Sequence, residues 1–323
     1  MSSFFSHVMR YPDLTVCIPV KNEEHTLGRC LDSIINNGYG GNLNVLIGVN
    51  GSTDNTLLVA KCYAEEDRRI QVYTSSPGKA RAWNVLFDAA QTDMVCFVDG
   101  DVRMKEGSLS ALARILTDTD AVAVAASLKK DILHLDLLEK GLSFPLNRYP
   151  SDQLSGACYG VKKNALRERL HEKGYEQMPA TIIHDDLFLT LICEDRRLDG
   201  SRHKQHWVGT SDVVAIYKER TLQDEFLYFR RRHLGNVQIT RDHPNLHYLP
   251  FDIKNKKNIL HRYYAHWINL HSFSDLLISP FSVMTRRAIT YLKTSRIRKE
   301  LNAFLSTAEY EQGWEPLPST KLL

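Results

Sequence analysis

The sequence predicts an α/β domain, a mostly parallel sheet with helices on both faces, followed by a C-terminal helical extension. Two observations carry that reading. Between Leu14 and Val98, short apolar runs alternate with segments of helical period, joined by short links, as in strand–helix units. Beyond Thr221 the pattern changes to long helical periods rich in arginine, histidine and aromatic residues, up to about Leu305.

The elements follow in order. Leu14–Val20 reads as a first strand, with Pro19 near its end, where a missing N–H costs little. Thr26–Ile35 places Leu27, Leu31, Ile34 and Ile35 on one helical stripe, and Asn36-Asn37-Gly38 ends it. Asn44–Val49 is a second strand, and the turn from Asn50 to Thr56 enters a helix reaching about Glu65. Ile70–Thr74, Lys79–Ala90 and Met94–Val98 complete the alternation as strand, helix and strand. Further on, Gly107–Thr117 and Asp185–Cys193 read as helices, and Ala121–Ser127, Leu154–Val161 and Val213–Tyr217 as strands. The boundary between the α/β domain (1–235) and the extension (236–323) is expected near residue 235. The tail from Glu315 to Ser319 reads as extended or disordered.

Bulk composition narrows the function. The chain has 323 residues, 43% hydrophobic and 24% charged, an ordinary globular composition, and its net charge of +3 is too balanced for nucleic-acid binding. Six scattered cysteines with no Cys-x-x-Cys pair point to a reduced, cytoplasmic chain without structural zinc. The histidines His243, His247, His261, His266 and His271 share no ligand spacing. The N-terminus lacks the apolar core of a signal peptide, and no window nears the ~20 apolar residues that span a bilayer. One apolar-basic segment, Leu276–Phe281 with Arg286 and Arg287, suits either packing on the domain or peripheral contact with the inner face of a membrane.

Chemistry concentrates where strands end. Val95–Val98 runs into Asp99-Gly100-Asp101. Residues i and i+2 of extended chain point the same way, so both carboxylates can face one spot, and the glycine between them allows close approach. Hard oxygen donors at a strand's carboxyl end suit Mg²⁺ or Mn²⁺ carrying a diphosphate; a plain polar turn is the alternative. Gly78-Lys79-Ala80-Arg81 opens a helix, where free N–H groups favour anions. Asp185-Asp186 opens another, where a carboxylate pair is either favoured by the helix dipole or placed for proton transfer.

Five segments occur in one order: Ile18–Glu23, Asn50–Thr56, Gly78–Asn84, Asp99-Gly100-Asp101 and His184-Asp185-Asp186. Over roughly residues 14–235 this order resembles the family-2 glycosyltransferases, inverting enzymes of the GT-A fold. The resemblance implies a nucleotide-diphosphate sugar donor, most simply a uridine diphosphate sugar, a divalent metal (Mn²⁺ or Mg²⁺) and a carboxylate base. It puts Pro19, Asn22, Glu23, Asn50, Lys79, Asp99 and Arg232 on the donor and Asp101 on the metal. Asp99 faces the ribose or supports the metal through water. Asp186, with Asp185 behind it, is the base, and Gly156 lines the acceptor site. Two departures stand out: Asn50, with Val49 before it, replaces a frequent acidic residue. Phe229 and His233 flank Arg230–Arg232 where some members carry Gln-x-x-Arg-Trp. Such members make polymers and carry membrane helices, so the expectation here is single transfer to a saccharide, lipid-linked, peptide or small-molecule acceptor. A nucleotidyltransferase and a non-catalytic sugar-nucleotide or glycan binder are the alternatives. Lys21-Asn22-Glu23-Glu24 lacks the glycine- and arginine-rich phosphate loop of the first, and intact acids oppose the second.

Overall fold

The computed structural model describes residues 11–131, 153–218 and 222–248. The expected extension lies mostly outside them, as do the segment from Leu276, His261, His266, His271 and the tail. The elements are β1 (Leu14–Val20), α1 (Leu27–Ile35), β2 (Leu43–Asn50), α2 (Thr56–Glu66), β3 (Ile70–Ser75), α3 (Lys79–Ala89) and β4 (Met94–Val98). There follow β5 (Val102–Met104), α4 (Ser108–Asp118), β6 (Ala123–Asp131), β7 (Cys158–Lys162), α5 (Lys163–Glu172) and α6 (Asp185–Ile192). The last are β8 (Glu194–Arg196), β9 (Arg202–Gln205), β10 (Trp207–Lys218) and α7 (Leu222–Asp242).

Eight strands form one sheet in the order β3-β2-β1-β4-β7-β6-β10-β5. β3, β2, β1 and β4 run parallel; β7 is antiparallel to both β4 and β6; β10 pairs parallel with β6. From β1 the chain winds outward through β2 and β3, then returns to place β4 on the other side. The strand order therefore reverses between β1 and β4, and open α/β sheets bind ligands outside the carboxyl ends at such a point.

The period-two alternation of strands sorts their side chains onto two cores. Leu14, Val16, Ile18 and Val20 of β1 and Cys96 and Val98 of β4 pack with Leu27, Leu31 and Ile34 of α1 and Leu109 and Leu112 of α4. Cys17, Val95 and Phe97 face the opposite way, onto Trp83, Leu86 and Phe87 of α3 and Phe188 of α6. α1 reaches its core because Leu27, Cys30, Leu31 and Ile34 repeat at helical spacing.

The first seven elements lie within a few residues of expectation. β5, α5 and the β8–β9 hairpin were not foreseen. β5 is three residues long, α5 buries only Leu166 and Leu170, and β9 is exposed at every position, so none carries an apolar rhythm. The strand expected over Leu154–Val161 begins at Cys158; residues 154–157 bend, with a bridge from Ser155 to Cys158.

Candidate active site

The loops beyond β1 and β2 are locked together. Asn22 takes a left-handed backbone (φ 55°), which asparagine tolerates, and its Oδ1 accepts from the Thr53 N–H at 2.8 Å. Its own N–H donates to Ser52 Oγ at 3.0 Å. Glu23 is buried: its N–H donates to Thr56 Oγ1 at 2.6 Å, and its carboxylate accepts from Thr26 Oγ1 at 2.6 Å. Asn50 is fully buried, with Nδ2 donating to the Val20 carbonyl at 2.8 Å and Oδ1 accepting from the Gly78 N–H at 3.4 Å. Pro19 is buried in β1, in register with Gly48. These four expected donor residues thus stand at the carboxyl edge of β1 and β2. Glu23 and Asn50 spend polar atoms on holding that edge.

The turn after β4 packs against the same edge. A Cβ on Gly100 would stand 2.5 Å from Val20 Cγ1 and 3.2 Å from Glu23 Cγ, so only glycine fits. Asp99 and Asp101 on either side both line an open cleft. Lys79, Gly156, Asp185, Asp186 and Arg232 line the same cleft. Seven of the sequence-predicted site residues are therefore brought together, including Asp101 and Asp186 from segments 85 positions apart.

Lys79 joins the two acidic pairs. Its Nζ lies 2.8 Å from Asp99 Oδ1 and 3.1 Å from Asp185 Oδ2. Burial opposes its charge, but Asp185 and Asp99 outweigh that and hold its pKa well above the ordinary value. The Asp99 carboxyl is pushed up to about 6, first by burial; Lys79 opposes the rise and the nearby Asp101 adds to it. A stack of three rings underlies this arrangement. Trp83 lies 4.9 Å from Phe97, and Phe97 5.5 Å from Tyr159, while the Trp83 indole N–H donates to Tyr159 OH at 2.7 Å. Trp83 is one helical turn beyond Lys79, Phe97 is two residues before Asp99, and Tyr159 is three beyond Gly156. The stack thus fixes the three elements that carry those residues.

Asp186 is held from several sides. Oδ1 accepts from the Leu187 N–H at 3.0 Å and lies 2.8 Å from His184 Nε2; Oδ2 accepts from the Gly156 N–H at 3.2 Å. Burial alone would raise its pKa, but His184, Arg232 and Lys79 overcome this and hold the carboxylate well below the usual range. Thr190 Oγ1 anchors the turn, donating to the Asp186 carbonyl at 2.6 Å and accepting from the Leu154 N–H at 3.0 Å.

Helix α7 braces this segment from behind. Gln238 Oε1 accepts from the Ile183 N–H at 3.0 Å and Nε2 donates to the Thr181 carbonyl at 2.8 Å. Asn236 Oδ1 lies 2.8 Å from His184 Nδ1. The buried imidazole therefore spans an amide on one side and the Asp186 carboxylate on the other, and the Asn236 orientation sets which nitrogen bears hydrogen. Sequence reasoning gave no role to His184, Asn236 or Tyr228, and took Arg231 only as part of an arginine cluster able to clamp phosphate. The first stands in the quoted His184-Asp185-Asp186 run, and Arg231 in the arginine run, but what each faces depends on how α7 packs.

Comparison with known proteins bears on the family and the fold. The glycosyl transferase family 2 profile matches residues 15–173. This chain belongs to that family. It is 32% identical over 121 residues to an N-acetylglucosaminyltransferase of Bradyrhizobium elkanii, a match covering 36% of this chain and 66% of that protein. It is 31% identical over 109 residues to glycosyltransferase GlyA of Streptococcus pneumoniae, covering 33% of this chain and 16% of that protein. The matches thus span less than two thirds of the length of these curated relatives. A mannosyltransferase of Pyrobaculum calidifontis, solved with GDP-Man and Mn²⁺, superimposes with a TM-score of 0.56 at 19% identity, over 94% of this chain and 83% of that one. The fold is GT-A. Among the described residues, no helix is long and apolar enough to cross a membrane.

Proposed function

We propose that this family-2 member transfers a sugar from a nucleotide-diphosphate donor to an acceptor hydroxyl with inversion at the anomeric carbon. Uridine diphosphate sugars are the first donors to try and guanosine diphosphate sugars the second. The observation that carries the reading is the single cleft with Asp99 and Asp101 on one wall, Asp185 and Asp186 on the other, and Lys79 between them.

The donor set fits a divalent cation. Asp101 makes no hydrogen bond or ion pair among the described residues, and its charge helps raise the Asp99 carboxyl, a crowding that a cation would relieve. Among the described residues no group of three or more acids, histidines or cysteines is placed to hold one ion, so the remaining ligands would be diphosphate oxygens and water. Asp101 would hold Mn²⁺ or Mg²⁺ with Asp99 behind it, and the ion would offset negative charge on the departing diphosphate. The Mn²⁺ and GDP-Man of the mannosyltransferase neighbour support that class of donor.

Asp186 is the base. Asp185 is tied to Lys79, whereas Asp186 Oδ2 accepts one backbone N–H and retains a lone pair on the cleft side. As the acceptor oxygen attacks, the new carbon–oxygen bond forms, the bond from the anomeric carbon to the diphosphate breaks, and the hydroxyl proton passes to Asp186. His184 and Asn236 position that carboxylate. Lys79 keeps Asp99 and Asp185 from repelling one another and stands near the path of the diphosphate.

The test is nucleoside diphosphate release from a panel of UDP- and GDP-sugars with Mn²⁺ or Mg²⁺. Release from at least one donor, abolished by EDTA, is expected. Absence of release and binding across the whole panel contradicts the proposal.

A further inference from the structure

The cleft is not evenly neutralised. Lys79 is matched by Asp99 and Asp185, and His184 stands against Asp186. Helix α7 then brings Tyr228, Arg231 and Arg232 to the same cleft from positions i, i+3 and i+4, which share one helix face. Arg232 lies over the Tyr228 ring, 5.5 Å from its centroid, and its Nη1 donates to Tyr228 OH at 3.4 Å. Arg231 has no hydrogen-bond or ion-pair partner among the described residues, yet it is partly buried in the cleft wall. A guanidinium withdrawn from water with its five donors unused is matched by a planar or tetrahedral oxyanion.

Its place in the fold says which substrate bears that anion. Arg231 and Arg232 sit about one helical turn before Asn236, which touches His184, the neighbour of Asp186. They stand on the same helix as Asn236 and Gln238, which brace the segment carrying the proposed base. We propose that the acceptor carries an anionic substituent, a phosphate or a carboxylate, and that Arg231 receives it beside Tyr228. This rests on the sugar-transfer reading above and names its acceptor class: a hydroxyl compound with an acidic group within reach of the attacking oxygen.

The experiment uses the full chain and its Arg231→Gln and Arg231→Lys variants. Nucleoside diphosphate with Mg²⁺ is titrated first by calorimetry; inorganic phosphate and, separately, acetate are then titrated into the nucleotide-saturated protein. Saturable anion binding beside bound nucleotide is expected. It should weaken about tenfold or more in Arg231→Gln and less in Arg231→Lys, with nucleotide affinity changed by less than about twofold. Whichever of phosphate or acetate binds more tightly names the acidic group. Anion binding that disappears once nucleotide is present, or an Arg231→Gln loss shared equally by nucleotide and anion, overturns the inference by assigning the arginine to the donor diphosphate. If no nucleotide binds, the transfer reading itself falls, and with it the assignment to an acceptor; the anion titration then stands as a separate result.

Discussion

The two walls of the cleft differ in how they are built. The β4–α3 wall grows from consecutive strand–helix units, and its charges sit at fixed places where strands end and helices begin. Its acids are partly neutralised from within by Lys79, and it rests on the Trp83–Phe97–Tyr159 stack. The α6–α7 wall is assembled from segments distant in sequence, held by side chains such as Gln238, Asn236 and Thr190 reaching to backbone or His184. Its arginines lack carboxylate partners within ion-pair distance among the described residues. The family match covers the first wall and ends at residue 173, before Asp185. Under the two proposals above, the wall inside the family match serves the donor and the other wall serves the acceptor.

The largest effect expected is on the second wall. Asp186→Asn keeps the shape but removes the proton acceptor, so kcat should fall about 10²- to 10⁴-fold while donor affinity stays within about twofold. Steady-state kinetics with nucleotide titration measure both, and a variant that turns over at the parent rate removes Asp186 from the chemistry. On the first wall, Trp83→Ala deletes one ring of the stack and leaves Tyr159 OH without its donor. It should cost about 3–5 kcal/mol, read by denaturant unfolding. A loss under about 1 kcal/mol would show that the stack does not carry that wall.

His184→Ala comes next. The Asp186 carboxyl is depressed against the pull of burial, with His184 foremost among the causes, so its ionised form adds stability at pH above about 4 that is lost as pH falls. Removing the imidazole should let the Asp186 pKa climb and lower kcat about 10- to 100-fold, the range seen when a residue orienting a reacting group is lost. An acid limb in the kcat–pH profile should move upward with it. His184→Gln, which can still donate a hydrogen bond, should recover part of the rate. A variant with lowered stability but an unmoved pH profile would reduce His184 to packing.

The smallest effect separates two glycines. Gly100→Ala drives a methyl into Val20 and should cost about 1–3 kcal/mol. At Gly156 the added carbon meets Lys79 Nζ at 3.4 Å and Asp186 Oδ2 at 3.5 Å, ordinary contact distances. Gly156→Ala should therefore melt within about 1 °C to 2 °C of the parent yet slow transfer by narrowing the cleft floor. Equal stability losses at both glycines would erase the distinction between a packing glycine and a site glycine.

What the sequence disclosed follows the same division. β1, β2 and β4 were legible because each buries an apolar run, and α1 and α3 because each keeps an apolar face; β3 and α2 bury little and were placed by the strand–helix alternation. Asp99, Asp101 and Lys79 were legible because they stand next to those elements. Asp185 and Asp186 were found through their run at a helix start, but the clasp of Asp185 by Lys79 joins residues 106 positions apart. No periodicity records such a contact. Asn50 shows the opposite limit. The resemblance put it on the donor, and nothing in its letter foretold that it is fully buried with its amide bonded to Val20 and Gly78. His184 was visible as a letter without a role, and Arg231 only as one of a cluster, since which helix face meets the cleft is decided by how α7 packs.

Calorimetric titration of UDP and GDP in the presence of Mn²⁺, into the parent chain and Asp101→Asn, tests the core of this account. It predicts saturable, Mn²⁺-dependent binding of at least one nucleotide to the parent, weakened more than about tenfold in Asp101→Asn and preserved in Asp186→Asn. Equal nucleotide affinity in the parent and Asp101→Asn, with or without Mn²⁺, would contradict it.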